Sequence, residues 1–116
     1  MDLQYNETNG TRIIKLTGKL DIIGTGAIET KFAGYSAGEH THMLVDLSDV
    51  DFLASIGIRL LVLTAKSIAS RGGKMALVNP TSDVRGVLEV TGIPAIIPIY
   101  SDLESAQAGI SSEKFA

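Results

Sequence analysis

A chain of 116 residues with 45% hydrophobic content is long enough to bury one ordinary core, so a single domain over residues 1–116 is expected. A formal net charge of -3 without a Lys/Arg run carries no electrostatic footprint for nucleic acid or an anionic membrane, and the lack of cysteine excludes disulfides, thiolate metal sites and cysteine nucleophiles. The first residues lack the basic start and apolar core of a secretory signal, and no apolar run approaches the ~18 residues that span a bilayer, which reads as a cytoplasmic protein with protein or small-ligand partners.

The chain opens with Leu3, Tyr5 and Glu7 alternating with polar positions, then a β-rich run from Ile13 to Leu16. Asn9-Gly10 between them tolerates positive φ at both positions, which predicts an antiparallel hairpin. Gly18-Lys19-Leu20-Asp21 is read as leaving the strand, with Asp21 or Thr25 capping a helix that buries Ile28, Phe32 and Tyr35. Gly24, Gly26 and Gly34 weaken that helix, each by about 1 kcal/mol relative to alanine.

Met43 to Leu47 is apolar except for Asp46, as expected of a strand covered on both faces, and an acidic loop carrying Asp49 and Asp51 follows. Ile58, Leu61, Val62, Ala65, Ile68 and Ala69 then trace one face of a helix. Ser55 is the expected N-cap of this helix and Gly72 its C′ residue. Leu60 and Leu63 fall off the apolar stripe, either covered by a neighbouring helix or exposed as a docking patch.

Lys74 to Val78 predicts a strand ended by Asn79-Pro80, and Ser82 or Asp83 a helix with Val84, Val87 and Leu88 inward, ended at Gly92-Ile93. Ile96 to Tyr100 reads as a final strand that Pro98 places at a sheet edge. Ser101-Asp102-Leu103-Glu104 is a capping-box pattern before a helix burying Leu103, Ala106 and Ile110, with a loose tail from Ser111. A hairpin followed by repeated helix and strand units predicts an α/β fold with a largely parallel sheet and right-handed crossovers.

Ser55 is the residue most able to carry function. It reads either as a plain helix cap or as a phosphate acceptor at a helix start, where the dipole favours the new charge and Asp49, Asp51 and Asp21 oppose it. A hydrolase nucleophile does not fit, because Leu53 stands at the first glycine of the Gly-x-Ser-x-Gly elbow and the histidines His40 and His42 both precede the serine. Asp46, Asp49 and Asp51 lack the glycine and final glutamate of a calcium loop, and the acidic pair and late lysine of an aspartate-phosphorylated receiver are missing. His40 and His42, even with Glu39, are read as solvent-facing rather than metal-ligating. No cofactor or metal site is expected.

Taken together, Gly18-Lys19-Leu20-Asp21, Leu44-Val45-Asp46-Leu47 leading into Val50-Asp51-Phe52-Leu53-Ala54-Ser55-Ile56-Gly57-Ile58, Gly72-Gly73, Asn79-Pro80, and Val87-Leu88 with Gly92-Ile93 resemble the STAS-domain family, specifically its stand-alone bacterial anti-sigma factor antagonists. The resemblance implies a mixed, largely parallel sheet of about five strands, opening with a β-hairpin and packed with about four helices. It also implies a partner switch rather than an enzyme. The unphosphorylated form binds an anti-sigma factor that is also a serine-protein kinase and so frees the sigma factor, phosphorylation of Ser55 reverses binding, and a serine phosphatase resets it. By the same resemblance Asp21, Ile22, Leu53, Ala54, Ile56, Gly57 and Arg59 form the partner surface around Ser55. Ala54 stands where many antagonists carry Asp or Ser, and Ile56 where many carry Ser or Ala, which shifts the local surface towards apolar contact. The competing reading is a constitutive STAS scaffold of a transporter or signalling assembly, suggested by Leu60 and Leu63.

Overall fold

The structure, a computed structural model, describes residues 1–113. Strands β1 (Asp2–Thr8) and β2 (Thr11–Leu20) form the expected hairpin, closed by the Thr8/Thr11 pair, with Asn9 and Gly10 at φ 54° and 78°. Then come α1 (Ile22–Ser36), β3 (His42–Leu53), α2 (Ser55–Ser70), β4 (Lys74–Val78), α3 (Ser82–Val90), a 3-10 turn over Ile93–Ala95, β5 (Ile99–Tyr100) and α4 (Leu103–Glu113). The sheet order is β1-β2-β3-β4-β5, antiparallel in the hairpin and parallel beyond it.

That order dictates the layers. Each crossover moves one strand in the same direction, so right-handed connections place α1, α2 and α3 on one face. Ile28, Phe32, Leu61, Ile68, Val84 and Leu88 from these helices share one core with Ile14, Leu16, Met43, Val45 and Leu77 of the sheet. With no further strand to reach, α4 folds back over the other face, where Ala106 and Ile110 pack on Leu44, Ala76 and Val78. Strand β4 is therefore buried on both sides, which accounts for its uninterrupted apolar run.

Several boundaries differ from expectation. Strand β2 continues through Leu20, and β3 runs on through Leu53, so the acidic segment is strand rather than loop. The cause is register. Against β2, β3 gains one residue between Asp46 and Asp49 and another between Val50 and Phe52. Two such bulges let Leu47, Val50 and Leu53 all reach the core at a spacing of three, which a regular strand of period two forbids. Asp46 Oδ1 accepts the Ser48 N–H at 2.9 Å within the first bulge.

The final strand is only Ile99–Tyr100, an edge strand as expected, because Ile93–Ala95 turn as a 3-10 segment and Ile97 is wholly buried. Helix α3 is capped by Thr81, ahead of both expected caps, Ser82 and Asp83, its Oγ1 accepting the Val84 N–H at 3.3 Å. Asp102 rather than Ser101 caps α4, accepting the Ser105 N–H at 2.7 Å, and Leu103 is 37% exposed rather than buried. Helix α4 continues through Glu113, past the expected start of the tail at Ser111, and residues 114–116 lie outside the described residues. On α2 the buried stripe is Gly57, Leu61, Thr64 and Ile68, with Ala69 exposed. The helix does end at Gly72, whose N–H donates to Ala69 O at 3.1 Å while Gly73 N–H donates to Ile68 O at 3.0 Å, a Schellman closure.

Candidate functional site

Helices α1 and α2 both begin at the end of β2, held there by two glycines. A Cβ on Gly24 would lie 1.9 Å from Lys19 O, and one on Gly57 would lie 2.8 Å from Leu20 Cβ and 3.1 Å from Leu53 Cδ1. Each first turn can sit this close to the strand only without a side chain. The Ala54 N–H donates to Leu20 O at 3.0 Å and fixes the entry to α2.

The two helix starts differ in how their N–H groups are satisfied. Asp21 caps α1 as expected, its Oδ1 accepting the Gly24 N–H at 2.7 Å. Ser55, expected as the N-cap of α2, is instead its first helical residue. Ala54 holds the cap position, extended at φ -92° and ψ 168°, and a methyl group accepts no hydrogen bond. Its carbonyl takes the Gly57 and Ile58 N–H groups at 3.0 and 3.1 Å. The start of α2 thus has no side-chain cap, and the exposed Ser55 hydroxyl sits at its positive end.

A groove of about 690 Å³ runs from this point between α1 and α2, lined by Ile22, Thr25, Glu29, Ser55, Arg59 and Leu63 among others. Ile22, Ile56 and Leu63 are exposed around it, Leu63 at 54%. Leu60, also on its wall, is half-buried. Neither Glu29 nor Arg59 makes a hydrogen bond or ion pair among the described residues. Thr25 is 3% exposed, and its Oγ1 is the one buried side-chain oxygen without a partner among the described residues.

The residues singled out from sequence divide into three groups. Asp21, Ile22, Ala54, Ser55, Ile56 and Arg59 gather around the two helix starts. Leu53 and Gly57 are there too, but both are buried, so they shape the surface from beneath instead of presenting side chains to it. Two of the three carboxylates expected beside Ser55 are elsewhere. Asp49 pairs with Lys15 at 3.2 Å and Asp51 with Lys19 at 3.5 Å, and these lysines alternate with core residues Leu16 and Leu20, so they face away from α1 and α2. Asp21 is occupied as a cap. Thr25 and Glu29 were not legible as site residues. The signal available was Gly24-Thr25-Gly26, a threonine between two glycines in a first turn, which propensity alone reads as a weak helix.

His40 adopts φ 55° beside Gly72 O, and no group of three or more metal-ligating side chains forms among the described residues. No helix among them is long and apolar enough to cross a membrane.

A family model described as the STAS domain matches residues 2–106. The chain is 28% identical over 102 residues to the anti-sigma-F factor antagonist RsfB of Mycobacterium tuberculosis, covering 88% of this chain and 83% of that protein. The crystal structure of an anti-sigma factor antagonist from Mycobacterium paratuberculosis superposes with a TM-score of 0.84 at 22% identity, covering 95% of this chain and 93% of that one. The phosphorylated form of SpoIIAA, a Bacillus cell fate determinant, shares the fold at a TM-score of 0.68 and 21% identity, covering 92% and 98%.

Proposed function

The chain belongs to the STAS domain family, and from that premise we propose that it is an anti-sigma factor antagonist working by partner switching. Unphosphorylated, it binds an anti-sigma factor that is also a serine kinase, and so releases the sigma factor. The kinase transfers the γ-phosphoryl group of ATP to Ser55 Oγ, ADP leaves, and the hydroxyl proton passes to a base on the kinase. The complex then separates and a serine phosphatase restores the hydroxyl. The protein acts by binding rather than catalysis, as a single STAS domain over residues 1–116, in the cytoplasm where sigma factors and ATP are found.

One observation carries the reading: an exposed serine at the positive end of α2, at the mouth of a groove bordered by exposed Ile22, Ile56 and Leu63. Apolar contact supplies affinity to a partner, and about 1.5 to 2 negative charges placed beside it remove that affinity. Asp21, Ile22, Ala54, Ile56 and Arg59 form the contact surface, supported from below by Leu53 and Gly57.

Incubation with the serine-kinase anti-sigma factor of the same organism and ATP should add a single phosphate, mapped to Ser55 by peptide mass, and Ser55→Ala should take none. Absence of modification, with complex formation untouched by Ser55→Glu, sinks the switch. The exposed Leu63 supports a second reading, a constitutive scaffold. In that case Leu63→Asp breaks assembly while Ser55→Ala and Ser55→Glu leave it intact.

A further inference from the structure

Building on the proposed phosphorylation of Ser55, we infer that Arg59 is the positioning residue for the phosphate, holding it over the uncapped start of α2 at the mouth of the α1/α2 groove, with Thr25 Oγ1 as a further donor in that recess.

Four observations converge. Ala54 leaves α2 without a side-chain cap, so an anion on the next residue meets backbone N–H groups that no side chain has already taken. Arg59 stands four residues after Ser55, one helical turn on, and both line the same groove. An acid followed by a base at this spacing is the favourable order along a helix. Arg59 makes no hydrogen bond or ion pair among the described residues. Thr25, buried with an unpartnered hydroxyl, lines the same groove from α1.

The charges facing this point are few. Glu29 lines the groove from α1 and competes for Arg59 with a single charge, against the near-dianion of a phosphate. Asp21 is engaged with Gly24, while Asp49 and Asp51 are paired to lysines on the far face of the sheet. Asp49 and Asp51 therefore add no close repulsion to a phosphate on Ser55, and against the charges of Asp21 and Glu29 the groove sets Arg59. The phosphate is drawn inward, and Arg59 is drawn with it across the groove wall between Ile56 and Leu63. The modified state hides apolar surface behind a solvated ion pair, so an apolar partner segment loses its seat.

The test uses full-length protein with phosphoserine installed at position 55 during translation, followed by 31P NMR across the second phosphate ionisation. Arg59→Gln should raise the midpoint by about 0.3 unit, a twofold change in proton affinity and the size expected of a helical ion pair. Arg59→Lys should recover part of the difference, and Glu29→Gln should lower the midpoint. Thr25→Val, which keeps the shape and removes the hydroxyl, should raise it by a smaller amount. A midpoint that Arg59→Gln leaves within about 0.1 unit overturns the inference. Movement in Arg59→Gln with none in Thr25→Val upholds Arg59 and removes Thr25 from the seat. Because no kinase is involved, failure of a kinase to modify Ser55 overturns the functional reading alone and leaves this comparison to stand or fall by itself.

Discussion

Replacing Ala54 with serine should stabilise the protein, which is unusual for a change beside a candidate functional residue. Ala54 already has the extended backbone of an N-cap, and its carbonyl already accepts the first bonds of α2. Only the side-chain acceptor is absent, and Ala54 is half-buried, so an added hydroxyl can turn over the first turn without displacing the core. Serine in place of alanine at an N-cap contributes about 1 kcal/mol, within a range of about 0.5 to 2. For a domain of this size that is a rise in Tm of about 4 °C. Urea unfolding of Ala54→Ser followed by circular dichroism should move the midpoint up with the slope unchanged, the sign of greater stability rather than altered compactness. The gain should shrink in protein carrying phosphoserine at position 55, where the phosphate already occupies the same N–H groups. A loss of stability, or an equal gain in both forms, would refute the account of α2 as an uncapped helix awaiting an anion.

Other expectations rest on different parts of the fold. Gly24→Ala should destabilise by about 1–3 kcal/mol, because the new Cβ meets Lys19 O, whereas Gly26→Ala, with open space around it, should stabilise by about 0.4–1 kcal/mol; paired urea titrations test the contrast. Arg71 donates to Ser36 O at 2.6 Å in the last residue of α1 and to Gly38 O at 2.9 Å just beyond it, and Arg71→Ala should cost about 1–3 kcal/mol, chiefly by leaving the Ser36 carbonyl unmatched while Thr41 still bonds Gly38 O, with faster amide exchange in the last turn of α1. The Ser105 N–H bonded to Asp102 holds that carboxyl below its ordinary value. Because the folded value is depressed, its support for α4 is complete above the ordinary carboxylate range and is lost as pH falls through the folded value; a carboxyl-carbon NMR titration should place Asp102 below the ordinary aspartate value, and Asp102→Ala should remove the acid-dependent fraying of α4.

Features decided within a few residues were legible in the sequence. Asn9-Gly10 specified the hairpin because only residues tolerant of positive φ close that turn, and of the two caps offered for α1, Asp21 and Thr25, Asp21 takes the role because its acceptor and the Gly24 donor are three residues apart. The apolar period of α2 and its stop at Gly72 were readable for the same local reason, as was β4. The residues expected around Ser55 mostly gather there, because short loops tie Asp21 to β2 and Ser55 to β3, whose ends are neighbours in the parallel sheet.

The tertiary structure decided what depended on partners far along the chain. The bulges of β3 exist only against β2, so a chain read by itself turns Asp49 and Asp51 into a loop beside Ser55, when pairing with Lys15 and Lys19 carries them to the other face. The shift of the N-cap from Ser55 to Ala54 follows from the Leu20 carbonyl that receives the Ala54 N–H, thirty-four positions away in sequence. The groove belongs to neither helix alone: it appears because Gly24 and Gly57 let α1 and α2 start against one strand end. Local stereochemistry wrote the elements and marked the serine; long-range packing set what it faces, leaving Arg59, Thr25, Glu29 and Asp21 on its side and Asp49 and Asp51 on the other.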